Sequence, residues 1–184
     1  MSDHARVLVH PTCTAKEAKA FAVLVRDDLV RRKIIVPELS DCTLGDDGHA
    51  PGDKVSLALK AGADETAMPD QFATNGVVFY SKKSIFPPIE AEMSLTCPFC
   101  KETFVAGDDY IDAASSWYEG KKATKFTCPE CEKSQPVIDW DGPNPIGLGY
   151  FAIEFWNWPD LQPEFIESIE KLVGHRLRRV YVYM

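Results

Sequence analysis

No run of apolar residues in the 184-residue chain approaches the roughly 20 needed to cross a bilayer, so a soluble protein is expected. The opening Met1-Ser2-Asp3-His4 lacks the apolar stretch of a signal peptide, which points to a reducing, cytoplasmic compartment. Positive charge is also short. Lys and Arg number 20 against 28 Asp and Glu, a formal charge of −8, and a field of that sign repels phosphate backbones unless the basic residues segregate. What is present is enough for a folded core: 45% of residues are hydrophobic and 11% aromatic. The length suits one domain with an insertion, or two small domains.

Four of the six cysteines are set out as Cys97-Pro-Phe-Cys100 and Cys128-Pro-Glu-Cys131. A Cys-x-x-Cys turn puts two thiolates on one side of a tight bend, and a second turn completes an all-thiolate tetrahedron. The expected cofactor is one structural zinc held by Cys97, Cys100, Cys128 and Cys131. Four thiolates leave no open position for water or substrate, so no catalytic residue is assigned. Because a small hairpin has few core residues, ligation is expected to supply most of its stability.

The flanks of these pairs are extended. Met93 and Leu95 alternate with Glu92 and Ser94 into the first turn, Glu102 to Val105 leaves it, Lys125 to Thr127 enters the second, and Gln135 to Trp140 departs. On Cys97, Pro98, Cys100, Cys128, Pro129 and Cys131 the stretch from about Ser94 to Asp139 resembles a zinc ribbon. It departs from that family in two respects. Lys101 and Glu132 stand where glycine often follows the second cysteine. Residues 101–127 also separate the pairs, longer than the ~15–20 of a compact pattern. The excess is placed in Asp108 to Glu119, where Tyr110, Ile111, Ala114, Trp117 and Tyr118 have a partly helical spacing. Cys-Pro-Phe-Cys also looks like the redox motif of glutaredoxins. The second pair, the β-prone Lys101 to Val105 and the mid-chain position oppose that reading.

The two ends of the chain share an order. Ala5 to Val9 is an apolar strand, and Thr14 with Glu17 forms a capping box for a helix with inward Ala18, Phe21, Ala22, Val25 and Leu29. Tyr150 to Asn157 alternates as a strand. Pro163 opens a helix with Phe165, Ile166, Ile169 and Leu172/Val173 inward, Gly174 follows its end, and Arg178 to Met184 reads as the last strand. With Lys54 to Lys60 as the strand returning after the first helix, two strand-helix-strand units result. The expected fold is α+β, a ferredoxin-like βαβ…βαβ sandwich with an inserted zinc-ribbon hairpin module. The divisions are 1–75 and 146–184 for the halves of the core, and 76–145 for the insert.

Other candidates weigh less. Cys13, before a helix start and three residues from His10, could be a reactive thiol, yet no acidic partner or phosphate-cradling glycine pattern accompanies it. A second metal site from His10, Cys13, Cys42 and His49 matches no compact ligand pattern. Lys121, Lys122 and Lys125 lie beside Trp117 and Tyr118, but six acidic residues share the stretch. Trp156 and Trp158 are expected to alternate onto the face opposite Phe155, under the insert or another protein.

The expected function is that of a non-enzymatic, zinc-stabilised interaction protein recognising another macromolecule, first of all a protein, with the acidic charge suiting a basic one. One specific form is an acidic inhibitor or immunity-type protein. The alternatives are a nucleic-acid-binding zinc-ribbon protein and a thiol-dependent enzyme.

Overall fold

A computed structural model describes residues 3–62, 74–88, 92–121 and 124–183. Its elements are β1 (His4–His10), α1 (Ala15–Arg31), β2 (Ile35–Ser40), β3 (Gly48–Pro51), β4 (Gly76–Tyr80), β5 (Ser84–Phe86), β6 (Ser94–Thr96) and β7 (Thr103–Val105). They continue with α2 (Asp108–Tyr118), β8 (Lys125–Thr127), β9 (Ser134–Pro136), β10 (Asp141–Asn144), β11 (Gly147–Gly149), β12 (Phe151–Trp156), α3 (Pro163–Val173) and β13 (Arg178–Tyr183). The result is a mixed α/β protein with antiparallel sheets and a cysteine cluster.

The six-stranded sheet runs β13-β1-β12-β4-β3-β2. Each neighbouring pair is antiparallel. Two steps of reversal make β4 parallel to β1 and β12 parallel to β13, the relation that a crossover helix requires. The capping box at the start of α1 is present: the Thr14 amide donates to Glu17 Oε2 at 2.8 Å, and the Glu17 amide to Thr14 Oγ1 at 3.3 Å. Pro163 opens α3, and Gly174 ends it at φ +68°, a conformation glycine adopts without a Cβ penalty. Both helices bury their stripes on one face of the sheet. Ala18, Val25 and Leu29 of α1 and Phe165, Ile166, Ile169 and Val173 of α3 meet Leu8, Val77, Phe151, Ile153 and Phe155.

Two strand expectations are corrected. Val55–Ala58 is a 3-10 turn, and only Leu59 touches a strand partner, Leu161. Ala58 and Leu59 are instead drawn under the start of α3, where the Gln162 amide donates to the Ala58 carbonyl at 2.9 Å. The strand parallel to β1 is Gly76–Tyr80, expected within the insert; it pairs with β12 from Gly76↔Trp156 to Tyr80↔Ala152.

All six residues of β12 are buried, because the second face is covered as well. Ala5, Val7, Val9, Val78, Ala152, Trp156, Val180 and Val182 form a separate cluster there with Phe86 of β5. The β5–β11 ribbon packs on this face through glycine. A Cβ on Gly147 would fall 2.8 Å from Val180 Cγ2, and one on Gly149 2.5 Å from the His10 carbonyl oxygen.

Trp158 departs from the expected alternation. Asn157 sits at φ +54°, which breaks the period of two and returns Trp158 to the helix side, 5.2 Å from the Phe155 ring. The turn is held by polar contacts: the Asn157 side-chain amide donates to Asp3 Oδ1 at 2.8 Å and to the Thr74 carbonyl at 2.7 Å.

A third cluster belongs to the cysteine segment. Leu95, Ala106, Tyr110, Ala113, Ala114, Phe126, Val137, Trp140, Ile146 and Leu148 bury together with Cys97 and Cys128. The Trp140 ring meets Phe126 at 5.1 Å and Phe104 at 5.9 Å. This corrects the expectation of a hairpin with few core residues. The helix expected between the cysteine pairs is α2, whose Tyr110 and Ala114 close that core.

Candidate metal centre and neighbouring sites

Each cysteine pair sits at the turn of a short hairpin, β6–β7 for the first and β8–β9 for the second. The two turns repeat each other bond for bond. The Cys97 amide donates to the Glu102 carbonyl at 2.9 Å and the Lys101 amide to the Cys97 carbonyl at 3.0 Å; Cys128 to Lys133 and Glu132 to Cys128 match them at 2.9 and 3.0 Å. Thr96 faces Thr103 across the first hairpin, and Thr127 faces Ser134 across the second. Lys101 and Glu132 stand at φ +70° and +57°, in the left-handed region. The turns therefore keep the geometry that glycine would relax. A left-handed residue with a Cβ is costly by roughly 1–2 kcal/mol, partly offset by the greater freedom of glycine in the unfolded chain. Lys101→Gly or Glu132→Gly is expected to raise stability by ~0.5–1 kcal/mol in urea unfolding of the metal-loaded protein.

The four sulfurs lie within 4.8 Å of one another. Cys97 Sγ is 3.7 Å from Cys131 Sγ, and Cys100 Sγ is 3.8 Å from Cys128 Sγ. A regular tetrahedron with metal–sulfur bonds of about 2.3 Å has edges of about 3.8 Å, so the donor set fits a zinc-sized ion. A disulfide requires about 2.05 Å and is not formed. Cys97 and Cys128 are buried, while Cys100 and Cys131 are partly accessible.

Burial pushes the Cys97 thiol up, but amide donors at Phe99 and Cys100 and the neighbouring sulfurs outweigh it, bringing it down to about 6. Cys100 accepts a bond from the Glu102 amide, which acts downward, yet burial and the adjoining sulfurs push it up to about 12. A metal ion entering the quartet must displace the proton on Cys100, so its affinity falls as the solution is acidified.

The remaining candidates do not assemble. Cys13 lies near the amides of Tyr150 and Phe151; burial pushes its thiol up, against the requirement of a nucleophile. Cys42 lies instead near Gly48 and Gly76, and His49 bonds the Val36 carbonyl at 3.0 Å. His10 stacks between Phe21 and His175, with its Nδ1 accepting from the Cys13 amide at 3.2 Å. Among the described residues Cys97, Cys100, Cys128 and Cys131 alone form a group able to hold a metal. Of the basic cluster, Lys122 lies outside the described residues, and Lys121 pairs with Glu119 at 2.8 Å. Trp117 is occupied by Tyr150 and by the Lys83 ammonium 4.5 Å from its ring centre.

Two features escape a search for motifs. Arg178 is buried and reaches from β13 into the cysteine lobe, donating to the Ile138 carbonyl at 3.1 Å and lying 3.5 Å from Asp141. Its signal is register: it falls in step with Val180 and Val182. Glu154 is likewise buried, mid-strand, and accepts from the Tyr80 hydroxyl at 2.7 Å. Burial holds the Glu154 carboxyl above its ordinary value, with Tyr80 and Trp156 pulling it back. Trp156 Nε1 lacks a partner at hydrogen-bonding distance, so its pull is that of a nearby dipole. A carboxyl raised in the folded state contributes stability that is full below its unfolded value and lost as pH rises through the folded one. Glu154→Gln removes that loss while keeping an acceptor for Tyr80. Its stability gain over the parent should therefore grow from acid to neutral pH in urea titrations.

No helix among the described residues is long and apolar enough to cross a membrane. Comparison of the chain with known protein families, curated proteins and solved structures finds no match.

Proposed function

We propose that the chain is a non-enzymatic interaction protein in which one structural zinc, held by Cys97, Cys100, Cys128 and Cys131, stiffens a lobe that recognises a basic protein partner. The observation that carries this reading is the closed sulfur quartet. Its four donors fill every tetrahedral position, which suits a metal of architecture rather than turnover. The framework is read as a ferredoxin-like sandwich, supported by the β13-β1-β12-β4 order with both crossover helices on one face. The lobe is read as an inserted zinc ribbon beginning after β4, supported by its paired hairpins.

The proposed contact face lies along α2. Asp108, Asp109 and Asp112 are exposed there beside Ile111, Val105 and Tyr118, which are 40%, 59% and 49% exposed. Acidic groups interleaved with open apolar side chains suit a cationic protein surface, and the net charge of −8 steers such a partner in. An inhibitor or immunity-type role in the cytoplasm is the specific form of this proposal.

The test is affinity capture with the zinc-loaded chain beside an Asp108→Lys, Asp109→Lys, Asp112→Lys variant of equal zinc content. A basic protein retained by the parent, released by salt and lost by the variant supports the reading; equal retention or no partner overturns it. Nucleic-acid binding through Lys121, Lys122 and Lys125 is the competing proposal, and steep salt-dependent retention on heparin would favour it.

A further inference from the structure

Between the large sheet and the cysteine lobe lies a cavity of about 320 Å³, whose lining includes Tyr80, Phe86, Tyr118, Glu154 and Trp156 together with Lys82 and Lys83. We infer that this cavity binds an organic ammonium group, with Glu154 as counter-ion and the aromatic rings as walls.

The lining is built rather than incidental. Glu154 is only 5% exposed yet lines the cavity, so its small open surface faces that space. The Tyr80 hydroxyl fixes it at 2.7 Å, and Tyr80 is in turn set edge-on against Phe86, ring centres 5.2 Å apart. Asp46 acts on both Tyr80 and Glu154 and adds negative potential at the same end. Trp156 is 4% exposed and contributes its large ring to the wall. Tyr118, half exposed at the end of α2, contributes a ring at the mouth.

A buried carboxylate among aromatic rings offers a cation two attractions at once, the charge and the negative ring faces, both strengthened by desolvation. Lys82 and Lys83 both line the cavity, but the Lys83 ammonium is engaged by the Trp117 carbonyl and ring and Lys82 is exposed, which leaves Glu154 as the buried charged group of the lining. A carboxyl buried in a cleft beside aromatic rings is a candidate binding group on geometry.

The experiment uses the zinc-loaded full chain labelled with nitrogen-15, titrated with choline, with Nα-acetyl-lysine amide, and with 3,3-dimethylbutan-1-ol as the uncharged isostere of choline. Choline, the lysine derivative or both should shift the Trp156 indole resonance saturably, at least tenfold more tightly than the isostere. Choline ahead points to a free quaternary ammonium ligand, and the lysine derivative ahead to a lysine side chain; either supports the site. Glu154→Gln should weaken the binding at least tenfold. Tyr118→Ala, at an exposed position that spares the fold, should weaken it severalfold. Equal binding of the isostere, unchanged affinity in both variants, or no response to either ammonium compound would overturn the inference.

Discussion

Cys128→Ser is expected to abolish tight zinc retention and to unfold the cysteine lobe while the six-stranded sheet keeps its structure. Cys128 is buried with its sulfur 3.8 Å from that of Cys100, so serine leaves three thiolates and an incomplete shell. Ligation of a structural zinc is worth about 10–16 kcal/mol in small domains, far above what one lobe core can replace. The lobe has its own cluster around Trp140, and the main core lies on the far face of the sheet under α1 and α3. Amide exchange in the variant should therefore lose protection across β6 to β9 and α2, and keep it in β1, β4, β12, α1 and α3. Loss of protection everywhere would show that the β5–β11 ribbon and Arg178 tie the two parts into one cooperative unit.

Trp140→Ala should have the next largest effect, and should reach the metal without touching it. Trp140 is fully buried against Phe126 and Phe104, and truncating such a side chain costs about 3–5 kcal/mol. Where metal binding and lobe folding are one equilibrium, that loss appears as weaker zinc affinity by roughly two to four orders of magnitude. Competition with a chromogenic chelator measures it. Unchanged affinity would mean that the sulfur quartet is held in place before the core around Trp140 forms.

Much of the framework can be read from local pattern. The capping box at Thr14 and Glu17, Pro163 at the start of α3 and Gly174 past its end are short-range features, and each has one structural solution. The cysteine quartet is equally local in its two halves, and its closure follows from ligand chemistry. What pattern does not settle is pairing. Val55, Leu57 and Leu59 alternate as a strand would, yet the segment follows Ala58 under α3, a contact made by residues a hundred positions away. Gly76–Tyr80 has the composition of a strand, but its place beside β12 depends on register with a distant segment.

What covers a sheet face is hidden for the same reason. The alternation of β12 separates two faces, and Trp156 on the second calls for a cover without saying which residues supply it or that Glu154 goes under it too. Both faces are buried because the cysteine lobe closes over the second, leaving Glu154 in a cleft rather than in solvent. Arg178 reads as part of a basic run, while its register with Val180 points it into the lobe. Asn157 shows how one left-handed residue undoes an alternation: a period of two sends Trp158 outward, and φ +54° turns it back.

The most direct test of the metal centre is zinc content measured on the same purified sample in which thiol accessibility is followed. The expected result is one zinc per chain, with Cys97, Cys100, Cys128 and Cys131 protected from alkylation until a chelator is added, and α2 losing amide protection as the metal leaves. Metal-free protein in which those four thiols alkylate freely while α2 and the paired hairpins stay folded would contradict it.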